Sequence, residues 1–208
     1  MAPVGRDRGV RAAAVAVALC VGLTPAAVGA AGQAGSGLVR VVLETEKGVI
    51  AIDVDTRHAP ITSANFLRYV DAGLYSGGWF HRAVRPGTET NTAVPIQVIQ
   101  ASRAPRTTGF PAIPLERTST TGLKHVDGAV SMARSSSDTA TSDFFICIGD
   151  QPALDDGGAR SGDGLGFAVF GRVVTGMDVV RRIQAAPVFP DSQMLQPLVR
   201  MTRVSREH

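Results

Sequence analysis

The feature that most constrains the fold is a repeated one. From residue 79 onward, short β-rich runs are separated by clusters of Gly, Pro, Ser and Thr: "WFHRAV" (79–84), "PIQVIQA" (95–101), "AIPLER" (112–117), "GAVSMAR" (128–134), "FFICIGD" (144–150) and "GFAVFGRVV" (166–174). Runs of this length and spacing suit a β-barrel or sandwich better than a parallel sheet, which needs a helix between consecutive strands. Upstream, "LVRVVLETEKGVIAIDV" (38–54) is rich in β-branched residues on both sides of "EKG", which predicts a hairpin turning near Glu46 to Gly48.

Helical periodicity occurs twice. After Pro60, the residues Phe66, Tyr69, Val70 and Leu74 recur at helical spacing, and Gly73 is placed to end the helix. A second helix is expected from Thr175, whose hydroxyl can cap while Asp178 favours the positive end; Met177, Val180 and Ile183 form its apolar side. A last strand over 198–204 closes the sheet. Four long irregular segments remain, at 85–95, 101–111, 135–142 and 151–166, and loops of that length in a compact domain are commonly functional.

Residues 1–30 read as a secretory signal peptide. Arg6, Arg8 and Arg11 precede an apolar run from Ala12 to Leu23, and "AAVGA" at 26–30 offers small residues for cleavage. The run is shorter than the roughly 20 residues of a membrane-spanning helix, and Leu19 is too large to make Cys20 a lipid-attachment site. A secreted or periplasmic location without stable membrane insertion is therefore expected. The mature chain then has a flexible start at 31–37 and one domain over 38–208.

Cleavage lowers Lys plus Arg from 21 to 18 and Asp plus Glu from 18 to 17. No basic stretch interleaved with aromatics survives, which argues against nucleic acid as a partner. Cys147 is the one cysteine left, inside "FFICIG", and reads as a buried structural thiol. Neither a zinc spacing nor a cofactor motif is present, so no metal and no cofactor are expected. His81 and His125 lack a "GxSxG" serine to work with, and "LDDGGARSGDG" (154–164) lacks the spacing of a calcium loop and reads as a solvated turn.

Arg82 stands out within "WFHRAV". Strict alternation puts Phe80, Arg82 and Val84 on one face and Trp79, His81 and Ala83 on the other. That pattern suits a surface arginine lying over apolar neighbours. The functional reading is a preorganised guanidinium aimed at a ligand carbonyl or carboxylate.

Taken in order, "FHRAV" (80–84), "VIQ" (98–100), "GAVSMAR" (128–134), "TATSDFFICIGD" (139–150), "LD" (154–155) and "GFAVFGRVVTGMDVVRRI" (166–183) resemble the cyclophilin-type peptidyl-prolyl cis-trans isomerases. The hairpin and "PITSANFLRYVDAGLYSG" fit the same family. The resemblance implies a closed eight-stranded antiparallel β-barrel capped by two α-helices, acting as a monomer on proline-containing polypeptides. It implies that Arg82 is the catalytic arginine and that Gln100 binds the substrate backbone and steadies it. Phe145, Leu154 and Val98 fall on the proline pocket, Val98 in place of a methionine, while Ala133 and Arg134 fall on the backbone clamp and the neighbouring pocket.

Four groove positions depart from the family pattern. Gln97 and Ala153 replace aromatics, Asp143 replaces a glutamine, and Phe167 replaces a His or Tyr; an insertion, "GTETNTAVPI" (87–96), precedes them. A carboxylate at Asp143 is expected to pair with Arg82 and compete for its donors, lowering turnover. Loss of the aromatic at Ala153 is expected to weaken cyclosporin binding. The alternative to a slow isomerase is a proline-peptide binding module or holdase with little catalysis. An unrelated hydrolase has no nucleophile and base to support it.

Overall fold

The computed structural model describes residues 37–207. The expected signal peptide and most of the 31–37 segment lie outside the described residues. Strands β1 (Leu38–Thr45) and β2 (Gly48–Asp55) form the hairpin, followed by helix α1 (Pro60–Asp71), β3 (Trp79–Val84) and β4 (Val98–Ser102). A single helical turn, α2 (Thr118–Thr121), precedes β5 (Ala129–Met132) and β6 (Phe144–Cys147); β7 (Ala168–Thr175), α3 (Met177–Gln184) and β8 (Met194–Arg206) complete the chain. All strand pairs are antiparallel. They close in the order β1-β2-β7-β5-β6-β4-β3-β8, so the expected eight-stranded barrel is the fold.

Alternation divides the side chains of the barrel wall into an inner and an outer set. Val41, Leu43, Ile50, Ile52, Phe80, Ile99, Val130, Phe144, Ile146 and Phe170 point inward to the main core. Helix α1 seals that core with Phe66, whose ring lies 4.9–5.4 Å from those of Tyr75, Phe144 and Phe170. Helix α3 supplies Val179, Val180 and Ile183 to the same core. The first turn of α1 has no cap of its own; the Glu116 carboxylate accepts hydrogen bonds from the Ile61 and Thr62 amides at 3.1 and 2.7 Å, opposite charge meeting the positive helix end.

A second apolar cluster lies outside the barrel, beneath the loop that precedes β7. It joins Val84, Ile96, Val98, Ala129, Phe145, Cys147, Leu154 and Val169. β5 and β6 are thus buried on both faces, which is why their sequences read as apolar runs rather than as alternation. Cys147 sits fully buried here, and burial pushes its thiol far above the ordinary range.

Three local expectations fail. "AIPLER" contributes no barrel strand, only a bridge from Ile113 to Ala140; Pro111 and Pro114 remove amide donors on either side. Thr175 does not cap α3, because it is the last residue of β7 and the N-cap is Gly176 at φ +92°, where a Cβ would meet the Val49 carbonyl oxygen at 2.3 Å. Arg82 does not share a face with Phe80. A β-bulge at His81 sets Phe80 opposite Ala101 but Arg82 opposite Gln100, so Phe80 enters the barrel while Arg82 and Val84 face outward.

Candidate active site

The bulge decides what the site contains. By inserting one residue, it turns Arg82 out of the barrel beside Gln100, above the outer apolar cluster. The His81 ring carries the cost: its buried Nδ1 has no hydrogen-bond partner among the described residues. Burial pulls this imidazole below its ordinary pKa, with Asp143 opposing.

A cavity of about 170 Å³ opens beside Arg82. Eight of the nine sequence-predicted site residues line it: Arg82, Val98, Gln100, Ala133, Arg134, Phe145, Leu154 and Phe167. Its volume is below the roughly 300–1,000 Å³ of drug-sized ligand sites, so it suits one small apolar ring presented by a longer chain. The apolar wall is closely packed. Phe145 is stacked against His125 at 5.9 Å and meets Phe167 edge-on at 5.5 Å, while Leu154 and Val98 are 1% and 2% exposed.

His125 acts here as a wall brace. Its Nδ1 lies 2.8 Å from the Asp155 carboxylate and its Nε2 3.0 Å from the Ser131 hydroxyl. The arrangement resembles a hydrolytic triad in residue type only, because Ser131 and His125 are 0% and 2% exposed and no substrate reaches them. Burial lowers the His125 pKa against the opposing pull of Asp155.

The polar rim is built from arginines. Arg82 donates from Nε to Gln193 Oε1 at 2.7 Å and from Nη1 to Gln100 Oε1 at 3.1 Å. A guanidinium has five N–H donors, so Nη2 and one Nη1 proton remain to serve a ligand. Burial, and then the like charge of Arg160, lower its pKa, yet an arginine remains charged. Arg134 lies over the Phe167 ring at 5.2 Å and grips Asp163 with two bonds of 2.7 and 2.8 Å; that grip holds the Asp163 carboxyl well below the usual range.

Asp143 departs from expectation. It neither lines the cavity nor pairs with Arg82; its carboxylate accepts from Gln100 Nε2 at 3.5 Å and from Ser142 at 3.3 Å. The cause is spatial: Asp143 precedes β6, and Gln100 stands between it and the guanidinium.

Sequence reasoning missed Ile96, Arg160, Glu89 and Gln193. Ile96 and Arg160 line the cavity, and the Arg160 guanidinium reaches Glu89 at 3.1 and 3.3 Å and the Val94 carbonyl at 2.6 Å. Arg160 comes from the stretch taken for a solvated turn, and Glu89 from the insertion. A charged residue in each of two long loops was the available signal.

The family described as "Cyclophilin type peptidyl-prolyl cis-trans isomerase/CLD" matches residues 40–206. The chain is 35% identical over 144 residues to peptidyl-prolyl cis-trans isomerase A of Dickeya dadantii, covering 69% of this chain and 70% of that protein. It is 34% identical over 148 residues to a peptidyl-prolyl cis-trans isomerase of Acinetobacter baylyi, covering 71% and 72%. Among solved structures, a cyclophilin type peptidyl-prolyl cis-trans isomerase of Cryptosporidium parvum superposes with a TM-score of 0.61 at 18% identity, covering 82% of this chain and 98% of that chain. With a barrel, an arginine-rimmed cavity and a family match spanning nearly all of the described residues, the chain belongs to the cyclophilin-type peptidyl-prolyl cis-trans isomerase family.

Proposed function

We propose that this enzyme is exported, that it isomerises X–Pro bonds in exported polypeptides with Arg82 as the catalytic residue, and that it turns over more slowly than its relatives. Peptide-bond rotation is opposed by about 18–20 kcal/mol because the nitrogen lone pair is shared with the carbonyl. X–Pro isomers therefore exchange in roughly 10–100 s unaided. No nucleophile is needed to speed this up; the requirement is a site that favours the twisted bond over either planar form.

The observation that carries the reading is Arg82, with Nη protons unspent at the mouth of a cavity floored by Phe145 and Leu154. A proline ring in the cavity brings its nitrogen to the rim. As the bond twists, that nitrogen regains a localised lone pair, and an Nη–H donor can bond it only then. A hydrogen bond involving a charged group is worth about 1.5–3 kcal/mol, which is about tenfold to a hundredfold in rate. Gln100 holds the guanidinium through Oε1 and offers Nε2 to the substrate backbone.

Slower turnover is supported by two features. Asp143 competes for the Gln100 Nε2 donor at 3.5 Å, so the competition first expected at Arg82 is relocated to Gln100. Ala153, next to the cavity-lining Leu154, stands where the family pattern has an aromatic. Export is supported by the charge and apolarity pattern of residues 1–30. A single-chain enzyme is supported by the closed barrel, which leaves no free sheet edge.

A protease-coupled assay on a proline peptide tests the reading. Wild type is expected to accelerate isomerisation, and Arg82→Ala to lower kcat/KM by about a hundredfold with the fold intact. A protein that binds the peptide but shows no Arg82-dependent rate is a binding module, and the proposal fails.

A further inference from the structure

Two glutamine side chains hold Arg82, and the resemblance that led to the site names only Gln100. The shorter bond, 2.7 Å from Arg82 Nε, is accepted by Gln193, which lies 111 residues further along the chain, just before β8. We propose that Gln193 is a positioning residue for the isomerase reaction, fixing the catalytic guanidinium and coupling it to the inserted loop; the inference rests on Arg82 being the catalytic residue.

Gln193 is itself fixed at two points besides Arg82. Its backbone carbonyl accepts the Ala83 amide at 2.8 Å, extending β-type pairing past the bulge. Its Nε2 donates to the Thr88 carbonyl at 3.0 Å. A carbonyl only accepts, so this bond dictates which end of the amide faces Arg82: the oxygen must point at Nε. Thr88 belongs to the insertion and is anchored in turn, its hydroxyl accepting the Arg85 amide at 3.1 Å. The 87–96 segment thereby reaches the guanidinium without touching the cavity through Thr88.

An amide suits this place better than a carboxylate. A carboxylate on Nε would orient Arg82 more strongly but would cancel the charge that the twisted imide needs. Two neutral oxygens fix the plane of the fork and leave its charge available to the Nη protons. Without Gln193, the bulged strand leaves Arg82 one anchor, Gln100, which Asp143 also engages.

The test compares wild type, Gln193→Leu, Gln193→Ala, Arg82→Ala and the Arg82→Ala/Gln193→Leu double variant, each checked for folding by thermal unfolding. Losing one hydrogen bond to a charged group corresponds to about tenfold to a hundredfold in rate. Gln193→Leu and Gln193→Ala are expected to lose that much kcat with KM within about twofold, and to lose exchange protection of the Arg82 Nε–H in 15N spectra. In the Arg82→Ala background, Gln193→Leu is expected to have no further effect. If a folded Gln193 variant keeps wild-type kcat, or Gln193→Leu costs the same factor with and without Arg82, the positioning role is overturned. Equal rates for wild type and Arg82→Ala instead reject the proposed function itself, a distinguishable failure.

Discussion

Glu89→Ala would strip a buried arginine of its counter-charge, and the structure sets the size of the effect. The Glu89 and Arg160 side chains are only 6% and 12% exposed. The carboxylate meets the guanidinium at 3.1 and 3.3 Å and also accepts the amides of Asn91 and Ile96 at 2.8 and 3.0 Å. Removing one partner of a buried pair costs about 3–5 kcal/mol, chiefly because the other charge is left uncompensated. No residue of 87–96 takes part in the strand pairing, although Ile96 packs in the outer cluster, so this energy is expected to open the loop and leave the barrel closed. Hydrogen exchange at the Gln97 amide, which donates to Gln151 Oε1 at 3.1 Å and not to Glu89, reads that opening at the end of the loop, with Ile146 in β6 as the internal control. At about 1.4 kcal/mol per tenfold, protection of Gln97 should fall by up to roughly two to three and a half orders of magnitude, with Ile146 unchanged. Since Ile96 lines the cavity, kcat/KM should fall as well. Adding Arg160→Leu removes the stranded charge and should recover much of the protection. Unchanged Gln97 protection in Glu89→Ala, or a double variant less protected than the single, would refute the reasoning.

Three further outcomes follow from the same contacts. Burial pushes the Glu89 carboxyl up, but the amides of Asn91 and Ile96 and the Arg160 guanidinium outweigh it and hold its pKa below the ordinary 4.5. Its stabilising contribution is therefore complete above that value and lost as pH falls through the lower folded one, so exchange at Gln97 should accelerate in acid well before β6 does. His125 has its folded pKa lowered by burial, so the unfolded chain binds the extra proton: stability is full above about pH 6.5 and declines below it, by up to about 1.4 kcal/mol per pH unit. Urea midpoints at pH 5 and 7 should show that slope reduced in His125→Gln. With Ala153 in place of the family's aromatic, cyclosporin should bind weakly by calorimetry, and Ala153→Trp should tighten it by about tenfold; tight binding to wild type would mean another side chain rebuilds the wall.

The strand runs, both main helices and most of the cavity were legible in the sequence, because each rests on local alternation or on segments whose order is shared across a family. The orientation of Arg82 was not. "HRAV" ends in two small apolar residues that fit either face of a sheet, so nothing local reveals the bulge at His81 that turns Arg82 outward. Asp143 was misplaced for a related reason: nearness along an aligned motif does not say that Gln100 stands between it and Arg82. Glu89, Arg160 and Gln193 come together from three loops more than thirty residues apart, and pairing of that kind is written in tertiary contacts, not in periodicity. Thr175 illustrates a nearer miss, since a capping hydroxyl was the expected signal and close packing against Val49 required Gly176 instead.

The central claim is that Arg82 stabilises the twisted X–Pro bond and contributes little to holding the planar peptide. The direct measurement is the cis–trans exchange rate of a proline peptide at saturating enzyme, by NMR exchange spectroscopy, beside the Kd from titration. Arg82→Ala is expected to slow on-enzyme exchange by about a hundredfold while Kd changes by no more than about threefold. Exchange at the wild-type rate in Arg82→Ala, or a loss carried entirely by Kd, would contradict it.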